Sequence, residues 1–153
     1  MNKSIRILVV DDDDSIRTVL KAILEDEGYI VDLAKNGKEA IEKSNIIFYN
    51  MALIDFKLPD MDGTALLGAM KETTPKMIKI IITGYPTLQN AVNAVNEHAD
   101  GYIIKPLNME NLLKTIKKHL KKYYQAKKYS VEKVAEFIET RAKELGHIHK
   151  PHR

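Results

Sequence analysis

Five short apolar runs alternate along the chain with stretches in which apolar residues recur every three or four positions. The runs are Ile5–Val10, Tyr29–Leu33, Met51–Ile54, Met77–Ile82 and Gly101–Ile104. Runs of this length, rich in Ile, Val and Leu, are typical of parallel strands buried on both faces, and the stretches between them have the period of amphipathic helices. Short connections between such units predict an α/β domain, a doubly wound five-stranded parallel sheet with helices on both faces.

An additional helical pattern lies near the end of the chain. Its apolar stripe consists of Val131, Val134, Ala135, Ile138, Ala142 and Leu145. Apolar residues at this spacing predict an extra C-terminal helix over roughly 131–145, which we expect to begin at Ser130 and to end at Gly146. The predicted organisation is a globular domain over residues 1–122, followed by a basic helical extension and a flexible, histidine-containing tail over residues 123–153.

Polar side chains follow four of the five predicted strands at the point where each strand ends. Asp11 and Asp12 follow the first strand, Asp55 the third, Thr83 the fourth and Lys105 the fifth. Because ligands of open parallel sheets bind outside the carboxyl ends of the strands, we expect these side chains to meet at one edge. Three carboxylates, a hydroxyl and an ammonium at one edge predict a site for a divalent metal and for phosphoryl transfer.

The acidic residues suit Mg²⁺, which takes near-octahedral oxygen ligands and one or two protein carboxylates. Asp12, Asp55 and one loop carbonyl would supply such a set, with Asp11 assisting. A phosphoryl group on Asp55 would carry about two negative charges, which Mg²⁺, the Lys105 ammonium and the Thr83 hydroxyl could meet on separate sides. The alternative is that the acidic run 11–14 is only a solvated cap on the following helix, for which Asp13 or Asp14 is suited.

Four motifs together resemble the receiver domain of two-component response regulators. They are Val9-Val10-Asp11-Asp12, Asp55-x-x-Leu58-Pro59-x-Met61-Asp62-Gly63, Ile82-Thr83-Gly84-Tyr85 and Tyr102-Ile103-Ile104-Lys105-Pro106. Their order and spacing agree with the family from about Ser4 to Leu120. The resemblance implies a flavodoxin-like, CheY-like (βα)₅ fold. It also implies a phosphoacceptor signalling protein, which takes a phosphoryl group from a partner histidine kinase and catalyses only its own phosphorylation and dephosphorylation.

The resemblance also implies a role for individual residues. By position, Asp55 matches the phosphoacceptor, Asp11 and Asp12 match the acid pair that holds Mg²⁺, and Lys57 falls where the family uses a backbone carbonyl for the same ion. Thr83 matches the switch hydroxyl and Tyr102 the switch aromatic residue. Lys105 matches the lysine that contacts the phosphoryl group. Two positions depart from the usual pattern, since the long cation of Lys57 adjoins the site and Gly84 stands where many relatives carry Ala.

Composition limits the other possibilities. The chain has 153 residues and no cysteine, which excludes a disulfide framework and a thiolate metal site. No run approaches the roughly 18 uninterrupted apolar residues of a membrane span, and no signal peptide is apparent, so we expect a cytoplasmic protein without membrane insertion. Of the 24 Lys/Arg and 21 Asp/Glu, residues 121–153 hold nine and four, so the extension is basic and the preceding part mildly acidic.

Three functions follow from these observations. The first is a receiver without a DNA-binding output domain, whose C-terminal helix packs its apolar stripe on the receiver's own surface, on a second copy of the chain or on a downstream protein target. The second is a Mg²⁺-dependent phosphatase of the haloacid dehalogenase type, which would need its nucleophile in an Asp-x-Asp pattern on the first strand; the segment 11–15 meets that pattern only loosely. The third is a nucleic-acid-binding regulator acting through the basic segment 121–129, a composition more often found at a solvated helix end.

Overall fold

The computed structural model describes residues 5–73 and 75–148 of the 153-residue chain, with side chains through residue 146. The chain divides into two compact units, Met1–Leu113 and Lys114–Arg153. The boundary falls inside one helix. The predicted tail histidines at 149 and 152 lie outside the described residues.

A five-stranded parallel sheet in the order β2-β1-β3-β4-β5 forms the centre of the first unit. The strands are β1 Arg6–Val10, β2 Ile30–Ala34, β3 Met51–Asp55, β4 Ile78–Thr83 and β5 Gly101–Ile104. The helices α1 Asp14–Asp26, α2 Gly37–Ile46, α3 Gly63–Ala69 and α4 Leu88–Asn96 alternate with them, and α5 Met109–Ile148 follows. The predicted doubly wound α/β fold is confirmed.

The central strands are buried along their whole length, as their continuous apolar runs predict. Every residue of β3 and of β4 is buried. The polar residues Asp55 and Thr83 are the last residues of these two strands. On one face of the sheet, side chains from α2, α3 and α4 complete a single apolar cluster, which includes Leu66, Leu67, Ala40 and Ala94. The sheet is therefore a rigid support for whatever projects from its edge.

Side-chain caps start each of the first four helices. The N-caps Asp13, Asn36, Asp62 and Thr87 each accept a hydrogen bond from the backbone N–H three residues further on. Such caps satisfy backbone donors that the first helical turn leaves free. The expectation that Asp13 or Asp14 caps α1 is met by Asp13.

The C-terminal part of the chain differs from the expectation of a separate helix. Helix α5 runs without interruption from Met109 to Ile148, so Ser130 is not a cap and Gly146 does not end the helix. Two observations explain the continuity. A glycine costs a helix only about 1 kcal/mol relative to alanine, and a serine costs less, so neither residue by itself ends a helix. Ion pairs one turn apart also follow the helix, at Lys128–Glu132, Glu139–Lys143 and Arg141–Glu144.

Gly63 tests how tightly the sheet edge is packed. A Cβ at this position would lie 2.9 Å from the backbone oxygen of Asp55 and 3.0 Å from the Cα of Phe56, so Gly63→Ala requires the β3–α3 loop to move. We expect a loss of about 1–3 kcal/mol in the free energy of unfolding, measured by urea denaturation. The control is Gly84→Ala, whose Cβ would meet only Lys105 Cδ at 3.9 Å and should change stability by less than about 0.5 kcal/mol. Equal stability of the two variants would contradict this packing.

Candidate phosphoryl and metal site

Three carboxylates meet at the carboxyl edge of the sheet. Asp11 follows β1, Asp12 is the next residue, and Asp55 is the last residue of β3. Each offers an oxygen atom, and these atoms all lie within 4.8 Å of one another. Asp11 and Asp55 are buried, with 4% and 6% of their surface exposed, whereas Asp12 is exposed. The sequence-predicted acids are therefore brought together.

Strand register and local hydrogen bonds hold Asp11 in place. Val10 pairs with Ile54, so the residues that follow each of them are neighbours at the sheet edge. The Asp11 N–H donates to the Ala34 carbonyl at 3.1 Å, and one Asp11 carboxylate oxygen accepts from the Asp13 N–H at 2.9 Å. The Arg17 guanidinium donates to the Asp11 backbone oxygen at 2.6 Å.

Lys105 supplies the positive charge of the site. Its Nζ lies 2.7 Å from Asp55 Oδ1 and 3.9 Å from Asp11 Oδ2. Burial alone would lower the pKa of Lys105, but the hydrogen bond to Asp55 and the charges of the three acids outweigh it, so the pKa is raised. Burial raises the pKa of Asp11, and the hydrogen bond from the Asp13 N–H opposes this rise while the Asp55 charge adds to it.

Thr83 is the last residue of β4, the strand between β3 and β5. It is fully buried, and its hydroxyl oxygen accepts a hydrogen bond from the Tyr85 N–H at 2.8 Å. The backbone ladder continues past the strands on both sides, since the Phe56 N–H donates to Ile82 and the Lys105 N–H donates to Thr83, each at 2.8 Å. The loops after β3, β4 and β5 are consequently fixed to one another beside the carboxylates.

Lys57 and Tyr102 take positions that differ from the other predicted residues. The Lys57 side chain is exposed, and its ammonium lies 5.1 Å from the centre of the Tyr85 ring. Its backbone forms a bridge with Asp62 that orders the β3–α3 loop. Tyr102 lies inside β5 opposite Ile81, not at the strand end, and its buried hydroxyl has no hydrogen-bond partner among the described residues.

Three contacts of the site could not be predicted from the motifs. Arg17 fixes the backbone of Asp11, and Tyr85 holds both the Thr83 hydroxyl and the Lys57 ammonium. Arg17 has a weak sequence signal, because it lies one helical turn after the N-cap Asp13. The pairing of Lys57 with Tyr85 has no such signal, because the two residues come from different loops.

The donor set fits a divalent cation. Mg²⁺ prefers oxygen ligands and few carboxylates, and Asp11, Asp12 and Asp55 offer such oxygens at one point. Burial is the main cause that raises the pKa of Asp11, and the charges of Asp55 and Asp12 add to the rise; a cation there would oppose both effects. The acidic cluster is typical of a receiver Mg²⁺ site.

Comparison with known proteins gives a family match over most of the chain. The model of the family described as "response regulator receiver domain" matches residues 7–117. The transcriptional regulatory protein ZraR of Escherichia coli K12 is 40% identical over 117 residues, which are 76% of this chain and 26% of that protein. A putative NtrX-like response regulator of Rickettsia bellii is 36% identical over 74% of this chain and 24% of its own length. The chain thus spans about a quarter of the length of these curated relatives.

Solved structures agree with this match. A CheY-like response regulator receiver domain from Methanospirillum hungatei JF-1 is 45% identical, with a TM-score of 0.78 over 81% of this chain and 99% of that one. The beryllofluoride-activated NtrC4 receiver domain, a dimer in solution, is 40% identical, with a TM-score of 0.71 over 77% of this chain and 98% of that one.

The function class follows from the fold, the acidic pocket and these matches taken together. Receiver domains are phosphoacceptor modules that histidine kinases phosphorylate. In the part of the chain that the structure describes, no helix is both long and apolar enough to span a membrane. The chain belongs to the response regulator receiver domain family.

Proposed function

We propose that this chain accepts a phosphoryl group on Asp55 from the phosphohistidine of a partner histidine kinase. The observation that carries the proposal is the 2.7 Å contact between Lys105 Nζ and Asp55 Oδ1 beside two further acids. Lysine at this position can neutralise an incoming phosphoryl group without moving far. Asp55 is also 94% buried, which limits the access of water to an acyl phosphate formed there.

The proposed step is an in-line displacement by the Asp55 carboxylate. The ammonium of Lys105 lies on Oδ1, which leaves Oδ2 as the attacking atom. The new bond joins Oδ2 to phosphorus, the bond between phosphorus and the kinase histidine nitrogen breaks, and that nitrogen keeps the electron pair. Lys105 and the Thr83 hydroxyl then donate to the phosphoryl oxygens.

Mg²⁺ belongs to this proposal as the cofactor. Asp11, Asp12, Asp55 and the backbone carbonyl of Lys57 would hold it, and it supplies positive charge for the phosphoryl oxygens during transfer. The residues of the chain set its place, because Asp11 and Asp55 are fixed by their strands. Asp12 is exposed and therefore able to adjust to the ion.

The contacts of Lys105 also favour Asp55 over the phosphatase alternative. A haloacid-dehalogenase-type enzyme would place its nucleophile after β1, at Asp11 or near it. The ammonium lies 3.9 Å from Asp11 but 2.7 Å from Asp55, and one Asp11 oxygen is already engaged by the Asp13 N–H. Asp11 is thus positioned as a supporting acid.

Thr83 and Tyr102 form the proposed switch. A phosphoryl group on Asp55 would draw the Thr83 hydroxyl away from the Tyr85 N–H, to which it is bonded at 2.8 Å. Movement of Thr83 vacates space on β4, and Tyr102 lies on the adjacent strand with a hydroxyl that has no partner among the described residues. The charge change at Asp55 would in this way reach the surface formed by α4 and β5.

The C-terminal part of α5 is proposed to bind a second copy of the chain. Within the extension assigned to residues 123–153, Val131, Ile138 and Leu145 repeat every seven residues, and Val134 lies between them, as in a coiled-coil seam. These four side chains are 49–60% exposed and form an open apolar surface along one face of the helix.

The exposed area supports self-association. Such a stripe exposes several hundred Å² of apolar surface per helix. The surface that two copies could bury together is then comparable with the roughly 1,200 Å² of a small specific interface. The related NtrC4 receiver is itself a dimer when beryllofluoride-activated. A downstream protein target is the competing partner for this stripe.

Asp55→Asn should abolish phosphorylation, because the amide keeps the shape of the side chain and removes the nucleophile. We expect the parent chain, incubated with acetyl phosphate and Mg²⁺, to gain one phosphoryl adduct of about 80 Da by intact mass, and Asp55→Asn to gain none. The matched control, Asp26→Asn, changes an exposed acid at the end of α1 and should be labelled like the parent. An undiminished rate of labelling in Asp55→Asn refutes the assignment.

Removal of the Asp12 carboxylate should weaken Mg²⁺ binding. Few protein ligands are present to compensate, so we expect Asp12→Asn to raise the Mg²⁺ dissociation constant by about tenfold or more, the value of one charge-assisted contact. Calorimetric titration measures the constant. Asp26→Asn is again the control, since Asp26 is an exposed acid at the far end of α1. Unchanged affinity in Asp12→Asn would exclude this residue as a ligand.

Ile138→Gln should weaken self-association, because it places an amide in the apolar stripe. We expect the full chain to show a concentration-dependent dimer by sedimentation, and the dissociation constant of the dimer to rise about tenfold or more in Ile138→Gln. Glu136→Gln, also on exposed α5 but outside the stripe, should behave as the parent does. A parent chain that stays monomeric at high concentration, with and without phosphorylation, leaves the stripe to a different partner and disproves the second copy.

A further inference from the structure

A partly open cavity lies at the amino ends of the strands, away from the carboxylates. It has a volume of about 190 Å³ and lies between the end of α3, the loop that follows, the start of β4 and the turn after α4. Lys79 is the second residue of β4 and Thr83 the last, so four strand residues, roughly 13 Å, separate the cavity from the phosphoryl site. The phosphorylation chemistry makes no use of this cavity.

Lys79 is the unusual residue of the cavity. It is only 8% exposed, and it stands in a strand otherwise made of isoleucines and a threonine. Asp100 fixes the backbone of Lys79 with two hydrogen bonds. The Asp100 carboxylate accepts from the Lys79 N–H at 2.8 Å, and the Asp100 N–H donates to the Lys79 carbonyl at 2.7 Å. Lysine is almost never buried without a partner.

The Lys79 ammonium lacks such a partner in the described part of the chain, where no carboxylate forms an ion pair with it. Burial lowers the pKa of Lys79, and the more distant charges of Glu72 and Asp100 offset this only in part. The side chain is largely buried, but the ammonium itself is not sealed off from solvent, and an anion that entered the cavity would give it the counter-charge that it lacks. The cavity gives an anion room to reach it, because Lys79 is one of its lining residues.

The other walls define what kind of anion fits. Lys71 and Lys76 add two ammoniums, while Glu72 and Glu97 add two carboxylates, so with Lys79 the lining carries three positive charges against two negative ones. This balance suits a single negative charge better than a polyanion. One part of the wall is apolar and buried, formed by Leu67, Met70 and Met77, each 2–3% exposed, and Gly68, Thr73 and His98 complete the lining.

We propose that this cavity binds a small organic carboxylate. The carboxylate group would contact Lys79, and the apolar body would lie against Leu67, Met70 and Met77. The size is appropriate, since an apolar cavity of about 150 Å³ can hold a benzene ring. The inference is independent of phosphorylation at Asp55, because it rests on residues at the opposite edge of the sheet.

Three probes test the proposal on the full chain by amide and methionine-methyl NMR. Benzoate carries a charge and an apolar body, benzamide has nearly the same shape without the charge, and inorganic phosphate has charge without an apolar body. We expect benzoate to shift the signals of Met70, Met77 and Lys79 saturably at millimolar concentration. Benzamide should bind at least about tenfold more weakly, because it lacks the charge-assisted contact with Lys79. Phosphate should also bind at least about tenfold more weakly, because it has no apolar body to bury.

Lys79→Met provides the residue-specific test. Methionine keeps much of the length of the side chain and removes the buried charge, so the variant should fold and should bind benzoate about tenfold or more weakly. Lys38→Met, an exposed lysine on α2, is the control and should bind benzoate as the parent does. Benzoate that does not saturate, or that binds Lys79→Met and the parent equally, overturns the proposal. Benzamide or phosphate binding as tightly as benzoate in the parent chain overturns it equally, even if Lys79→Met cannot be studied.

Discussion

Compensation of negative charge at the carboxyl edge of the sheet is the constraint on which the site depends. Three carboxylates have oxygens within 4.8 Å of one another, and the ammonium of Lys105 contacts two of them, Asp55 and Asp11. Like charges at this separation oppose each other's ionisation, and together with burial they raise the pKa of Asp11. Interactions among the three carboxylates do not keep them close to one another. The register of β1 against β3 and the hydrogen bonds to the Asp11 backbone hold them, so the stability of the sheet supports the unfavourable site.

This arrangement explains why the site is suited to both a cation and a phosphoryl group. The deficit of positive charge favours a divalent ion, while the fixed Lys105 favours the anion that would be attached to Asp55. The change of charge would then act on Thr83, whose hydroxyl is bonded to the Tyr85 N–H. The Tyr85 carbonyl accepts from Thr87 and Asn90 at the start of α4, so this loop mechanically connects the site to that helix.

The sequence predicted the fold because the buried parallel strands have an unmistakable pattern. The apolar runs of β3 and β4 are continuous, and the polar residues that end them stand out. The same reasoning predicted that Asp11, Asp55, Thr83 and Lys105 lie at one edge, since all parallel strands end there. It could not predict that Lys105 contacts Asp55 more closely than Asp11, because that depends on the path of the β5–α5 loop.

Three other features escaped prediction for physical reasons. The continuity of α5 through Ser130 and Gly146 was missed because cap signals are weak: a serine or a glycine inside a helix costs about 1 kcal/mol or less, and ion pairs along the helix offset part of that cost. The contact of Lys57 with the Tyr85 ring was missed because it joins two loops whose approach only the tertiary structure sets. Buried Lys79 appeared in the sequence as an interruption of an isoleucine run, yet periodicity alone does not reveal the cavity beside it.

The most direct measurement of the central claim is the position of the phosphoryl group. The full chain would be incubated with acetyl phosphate and Mg²⁺, reduced with borohydride to convert the acyl phosphate to homoserine, digested and sequenced by tandem mass spectrometry. The account predicts homoserine at position 55 and none at positions 11 or 12, because Lys105 lies 2.7 Å from Asp55 and one Asp11 oxygen is engaged by the Asp13 N–H. Homoserine at position 11 or 12, or its absence from the whole chain, would contradict the account.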